Sequence, residues 1–269
     1  MNAFTLSFAF LRRVQATALL AATLVMPVAV HAGQTCDRSE PREAAVRQQL
    51  DMAVKTIDRL NASGAEVVVI GRVGQDLSKY GQRYSHLGFA YREGGSWFVV
   101  HKLNECGTAL SNIYEQGMGQ FFMDDPFQLE AYVSVPRPEI QSRLREAIRR
   151  GQATAMHDQS YNMLAYPWAT RYQQSNQWVD ETLAHAMEPQ IATREQAQAW
   201  LKFKGYEPAV LNLGPMTRLG GRMFKANIAF DDHPNEKRFA DRIETTTADS
   251  VFAFLQKTGI EESHFVIRP

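Results

Sequence analysis

The chain has 269 residues, 45% hydrophobic, 22% charged and 10% aromatic, the composition of an ordinary globular protein and not of a disordered or collagen-like one. Lysine plus arginine and aspartate plus glutamate both total 29, so the basic excess of a nucleic-acid binder is absent and neither DNA nor RNA is an expected partner.

The first 32 residues read as a secretory signal peptide. Arg12 and Arg13 stand without an acidic neighbour, an apolar run follows from Ala16 to Val30, and Val30-His31-Ala32 suits cleavage before Gly33. As a helix that run reaches about 22 Å, short of the roughly 30 Å of a bilayer core. No later stretch is apolar enough to span, so the mature chain is expected to be exported, periplasmic and without a membrane span. Cys36 and Cys106 are the two cysteines, and in an oxidising compartment they are expected to form a disulfide. By the loop-entropy argument a loop of that length contributes about 4 kcal/mol.

A helix is predicted from Pro41 to Leu60, with Val46, Leu50, Ala53, Val54, Ile57 and Leu60 at helical spacing and Asn61 to Gly64 as the stop. Glu66 to Ile70 reads as a short strand. The loop with Gly71, Gly74 and Gly81 lacks the Gly-Lys-Ser/Thr of a phosphate cradle. Tyr84–Ala90 and Trp97–Leu103 form a hairpin turning at Gly94-Gly95. Leu129 to Val135 is a further strand, and Arg137 to Arg150 an amphipathic helix whose arginines make a solvated face. Tyr161 to Tyr172 is irregular and aromatic, Ser175 to Met187 is helical, and Pro189 ends it. Beyond lie a helix from Thr193 to Lys204, strand-like pieces near Val210 and at Ala226–Phe230, and a helix from Ala248 to Lys257. The order indicates an α+β fold: a core over 33–190 and a C-terminal α/β extension over 191–269 packed on it.

The chemistry starts at the hairpin. A two-residue turn at Gly94-Gly95 makes paired positions sum to 189, which sets His86 and His101 diagonally on one face with β-carbons about 7 Å apart or less. Each histidine alone is a core residue satisfied by one hydrogen bond; together they have the geometry of a coupled pair. Two ligands do not make a zinc site, and no His-Glu-x-x-His or Cys-x-x-Cys spacing adds others, so no metal and no cofactor is expected. Ser175 opens its helix, where it is either an N-cap or a nucleophile facing the free N–H groups. His233, in Asp231-Asp232-His233-Pro234, reads as part of a solvated turn.

Taken in order, these elements resemble the circularly permuted branch of the papain-like fold, which includes permuted NlpC-type peptidases and lecithin:retinol acyltransferase-like proteins. Tyr84-Ser85-His86-Leu87-Gly88-Phe89 resembles the family's base-bearing strand, His101 matches its second polar member, and Gln174-Ser175-Asn176-Gln177-Trp178 is similar to its nucleophile motif, with serine at the cysteine position. The whole mature chain is also similar to an uncharacterised family of exported bacterial proteins, through Gly-Gln-Asp-Leu-Ser at 74–78, Leu-Asn-Glu-Cys-Gly at 103–107 and Ser-Asn-Gln-Trp at 175–178. The papain-like resemblance implies an antiparallel sheet packed against helices and a hydrolase or acyltransferase acting on an amide or ester of cell-envelope peptides or lipids. Ser175 would attack, His86 would accept its proton, His101 would orient His86, and Tyr161, Tyr166 and Trp168 would line the substrate cleft. The alternative is a catalytically inactive papain-like module that binds or assembles within the envelope, since serine in place of cysteine also marks inactive descendants. The two readings separate on whether Ser175 lies within reach of His86.

Overall fold

A computed structural model describes residues 43–123 and 126–269. The signal-peptide reading of residues 1–32 and the Cys36 half of the expected disulfide lie outside the described residues.

The first helix, α1 (Glu43–Ser63), leads into β1 (Val67–Val73), a strand longer than its predicted span because Gly71 continues it. At Gly71 a β-carbon would stand 2.9 Å from both its cross-strand partner Leu87 and Phe252, so glycine lets Phe252 close on the sheet there. The hairpin β2 (His86–Glu93) and β3 (Ser96–Asn104) has the predicted register, Glu93 opposite Ser96 and Phe89 opposite Val100. Gly94 and Gly95 carry φ of 56° and 86°, the left-handed pair that a two-residue turn between twisted strands requires. Next come β4 (Ser111–Gly117), absent from the sequence reading, α2 (Met118–Phe122), β5 (Gln128–Pro136) and α3 (Pro138–Arg149).

Residues 155–174 hold no long element, and α4 (Ser175–Met187) and α5 (Arg194–Phe203) follow, the latter started by the Thr193/Gln196 capping box. The rest comprises β6 (Ala209–Asn212), α6 (Pro215–Phe224), α7 (Asn235–Arg238), β7 (Arg242–Thr245), α8 (Ala248–Lys257) and β8 (Glu261–Ile267). Ala226–Phe230, predicted as strand-like, is irregular and lies between α6 and α7.

The main sheet is antiparallel throughout, in the order β4-β3-β2-β1-β5-β8, and β6 and β7 form a separate ribbon. Side chains alternate between its two faces. One face presents Val67, Val69, Leu87, Phe89 and Tyr132 to α3, α4 and α8. The other presents Val68, Ile70, Ala90, Val99 and Val133 to α1 and α2. The molecule is thus a mixed α+β sandwich with a helical layer on each side of an antiparallel sheet. The C-terminal residues are part of this body and not an addition to its outside: β8 pairs with β5, and Phe252 and Phe254 of α8 enter the same core as Trp178.

α4 also departs from its amphipathic pattern. Every residue from Gln173 to Ala184 is buried, because the helix is covered on the sheet side by Phe89 and elsewhere by α3, α5 and α8.

Candidate functional site

His86 and His101 meet as the hairpin register demands. His86 Nε2 lies 2.9 Å from His101 Nδ1, and His101 Nε2 lies 3.0 Å from Gln116 Oε1 on β4. An amide oxygen only accepts, so His101 carries its proton on Nε2 and takes a hydrogen bond from His86 Nε2–H at Nδ1. Gly88 makes this approach possible: a β-carbon there would stand 3.0 Å from His101 Cβ and 2.8 Å from Val99 Cγ1. The Phe121 ring packs on both imidazoles, at centroid distances of 6.2 Å and 5.6 Å, and the Arg72 guanidinium lies 5.0 Å over the same ring. Arg72 pairs with His86 across β1 and β2, and one of its nitrogens donates to the Phe121 carbonyl. Burial holds His86 well below the ordinary histidine pKa, and the charges of Arg72 and His101 add to the effect. His86 is therefore neutral at physiological pH.

Ser175 is on the other side of the sheet. His86, Gly88 and Ala90 alternate with Leu87, Phe89 and Tyr91 along β2; Ala90 belongs to the α1/α2 core and Phe89 to the α4 core. The histidines contact Phe121, a member of the α1/α2 core, whereas α4 sets Trp178 5.6 Å from Phe89 on the opposite face. Sequence alternation brings the two histidines together, and the choice of covering helix takes the serine away from them. Of the expected Ser175–His86–His101 relay, the His86–His101 contact is present, and α4, which carries Ser175, packs its Trp178 against Phe89 on the opposite face of the sheet.

Ser175 is hydrogen-bonded to Tyr161; burial raises the Tyr161 pKa to about 12, and the hydrogen bond with Ser175 offsets that rise only in part. Ser175 is not the helix cap: Gln174 takes that role, its Oε1 accepting from the Asn176 amide at 3.0 Å while its Nε2 donates to the Thr246 carbonyl. Tyr166 and Trp168, expected to line a cleft, are both half-buried. The Tyr166 ring lies tilted 5.3 Å from that of His233, and Trp168 stands 5.9 Å from Tyr206 beneath the Lys202 ammonium.

One polar cluster escaped the sequence reading and a second was read there as a solvated turn. In the first, Glu181 on α4 is fully buried and accepts from Arg194 Nε at 2.7 Å, from Arg194 Nη2 at 3.2 Å, from Gln198 at 2.8 Å and from Gln173. Arg194 also donates to the carbonyls of Thr170 and Tyr172, at 2.8 Å and 2.9 Å. Lys102 on β3, equally buried, donates to the Asp158 carbonyl and to Gln173 Oε1, each at 2.6 Å, and burial lowers its pKa to about 7. The second cluster is Asp232-His233, which is buried and not a solvated turn. Asp232 accepts from the Tyr166 amide at 2.8 Å, and His233 Nε2 lies 2.8 Å from the Leu164 carbonyl, so together they fix the aromatic segment. A sequence signal for the first was present in Arg194 and Gln198, four positions apart on one face of α5.

Among the described residues no group of three or more histidine, cysteine, aspartate or glutamate side chains is arranged to hold a metal ion, and no helix is long and apolar enough to cross a membrane. Cys106 lies between β3 and β4, just past the histidine strand.

Comparison with known proteins adds a family and little chemistry. The profile described as "Uncharacterized protein conserved in bacteria (DUF2145)" matches residues 59–255. No curated protein matches. A solved structure described as the metalloprotein yiiX from Escherichia coli O157:H7 (DUF1105) is similar at 13% identity and a TM-score of 0.44, over 76% of this chain and 98% of that one.

Proposed function

The chain belongs to the DUF2145 family of bacterial proteins, and we propose that it is an exported, non-catalytic module of the cell envelope, binding or assembling with envelope components on a papain-like layered core. One observation supports this reading: α4, which carries Ser175, packs through Trp178 on the Phe89 face of the sheet, while the His86–His101 pair packs on Phe121 of the other core. A serine hydroxyl needs a base within hydrogen-bond reach during attack, directly or through one water. Tyr161, the neighbour it has, is a weaker base than imidazole and a poor acceptor for the proton. The histidines in turn hold each other and Gln116, an arrangement that fixes β2, β3 and β4 edge to edge.

The test is active-site labelling of the full chain with fluorophosphonate and acyl-phosphonate probes, read by peptide mass spectrometry. No adduct on Ser175 is expected, and Ser175→Ala should retain the thermal stability and cellular phenotype of the parent. An adduct on Ser175 that requires His86, lost in a folded His86→Gln chain, overturns the reading and restores the hydrolase.

A further inference from the structure

α6 is built inside out. None of its residues from Pro215 to Met223 is buried, and Met216, Leu219 and Met223 are 78%, 51% and 52% exposed. Their spacing of three and four puts them on one face, on roughly the opposite side of the helix from Gly221. Gly221 is where α6 meets the body, its absent β-carbon 3.4 Å from Ile228. Arg218 ties the helix down through Asp241 at 2.5 Å and the Leu213 carbonyl. The apolar face consequently points away from the protein. A helix that served only packing would turn that face inward, as α3 does with Ile140, Leu144 and Ala147.

The charges that α6 itself carries are all basic, Arg218 being held by Asp241 and Arg222 left exposed. From Pro208 to Phe230 there is no aspartate or glutamate, while Arg218, Arg222 and Lys225 lie within or at the end of α6. Arg222 is exposed and flanks Leu219 on the helix surface. An apolar stripe bordered by basic residues complements an anionic lipid interface, where the apolar side chains enter the acyl boundary and the cations meet phosphate.

We propose that α6 docks this protein onto an anionic phospholipid bilayer surface, lying in the interface without crossing it. The proposal stands on α6 alone and is independent of whether Ser175 is catalytic.

The test uses the full chain with an environment-sensitive fluorophore at Leu219→Cys, a control at Glu262→Cys on β8, and the parent chain carried through the same labelling as background. Vesicles of phosphatidylglycerol mixed with phosphatidylcholine should shift the emission at 219 to the blue and leave 262 unchanged. Phosphatidylcholine vesicles alone should produce no shift, and added salt should weaken the response. In flotation with the mixed vesicles, the α6-dependent part of binding should fall more than about tenfold in Leu219→Glu/Met223→Glu, because two inserted apolar side chains are replaced by charges. An unchanged emission at 219 on anionic vesicles overturns the proposal, as does an equal shift on phosphatidylcholine. A concentration-dependent shift without lipid also overturns it, making the face a contact between copies of the chain. Because the fluorophore reports from α6 itself, the outcome does not depend on how the double variant folds.

Discussion

Removing the cation from the buried Glu181–Arg194 pair measures how tightly α4 is fastened to its surroundings. Arg194→Met preserves much of the side-chain volume and deletes the guanidinium. Glu181 then loses its two contacts at 2.7 Å and 3.2 Å and keeps only amide donors from Gln198 and Gln173, and the carbonyls of Thr170 and Tyr172 lose their donor. A buried charge left without its partner costs about 3–5 kcal/mol, and the orphaned carbonyls add to that. Burial raises the Glu181 pKa even with Arg194 in place. The folded chain therefore binds a proton there more readily than the unfolded one, and stability falls as pH rises from the unfolded carboxyl value through the folded one. Without Arg194 that fall must steepen. Urea unfolding followed by tryptophan fluorescence, with fully buried Trp178 as an internal reporter, should give a loss of about 3–5 kcal/mol at pH 7.5 and a smaller one at pH 5. Glu181→Gln added to Arg194→Met should restore part of the loss. A single variant that loses less than about 1 kcal/mol at pH 7.5, or equal losses at both pH values, refutes the view of Glu181 as a buried charge dependent on Arg194.

Gly88→Ala should lower stability by about 1–3 kcal/mol, because the new methyl meets Val99 at 2.8 Å and both His101 Cβ and the Val100 carbonyl at 3.0 Å; thermal unfolding checks this, and an unchanged melting temperature rejects the close packing at the dyad. Glu130 accepts from Arg83, Arg268 and Tyr84, and the Arg83 hydrogen bond above all holds its pKa down to about 2. Its contribution is present above the unfolded carboxyl pKa and is lost as pH falls toward 2. The stability gap between the parent and Glu130→Gln should thus close between about pH 4.5 and 2 in guanidinium titrations, and a gap independent of pH across that window would argue against the ion pair.

The histidine dyad was readable from sequence because its geometry is local. Gly94-Gly95 fixes the register, the register fixes the diagonal, and period-two alternation fixes the shared face. The position of Ser175 relative to that face depends on which helix covers which side, and here α1 with α2 covers one and α4 the other. Nothing in the short motif around residue 175 encodes that choice. The edge strands β4 and β8 were missed for a related reason. Ser111–Gly117 and Glu261–Ile267 are largely polar, as suits an edge facing water, and they become strands only because Val99–Leu103 and Ala131–Val135 lend them hydrogen-bond partners. Asp232-His233 has the composition of a solvated turn; burial comes from Leu164 and Tyr166, nearly seventy positions earlier. Polar residues that pair across such distances look solvated until the chain closes around them.

The pairing of β8 with β5 also bears on the order in which the molecule can assemble. Glu130 and Arg268 are 138 positions apart, so this contact closes a very long loop and comes late among the events that complete the sheet. Until then β5 is a bare edge carrying Ala131, Val133 and Val135 toward the α1/α2 layer. An unpaired apolar edge is a template for pairing between chains, so the interval before β8 arrives is when self-association competes with folding. Damage to β8 would then act first on the yield of soluble protein, before any effect on the finished histidine pair became measurable.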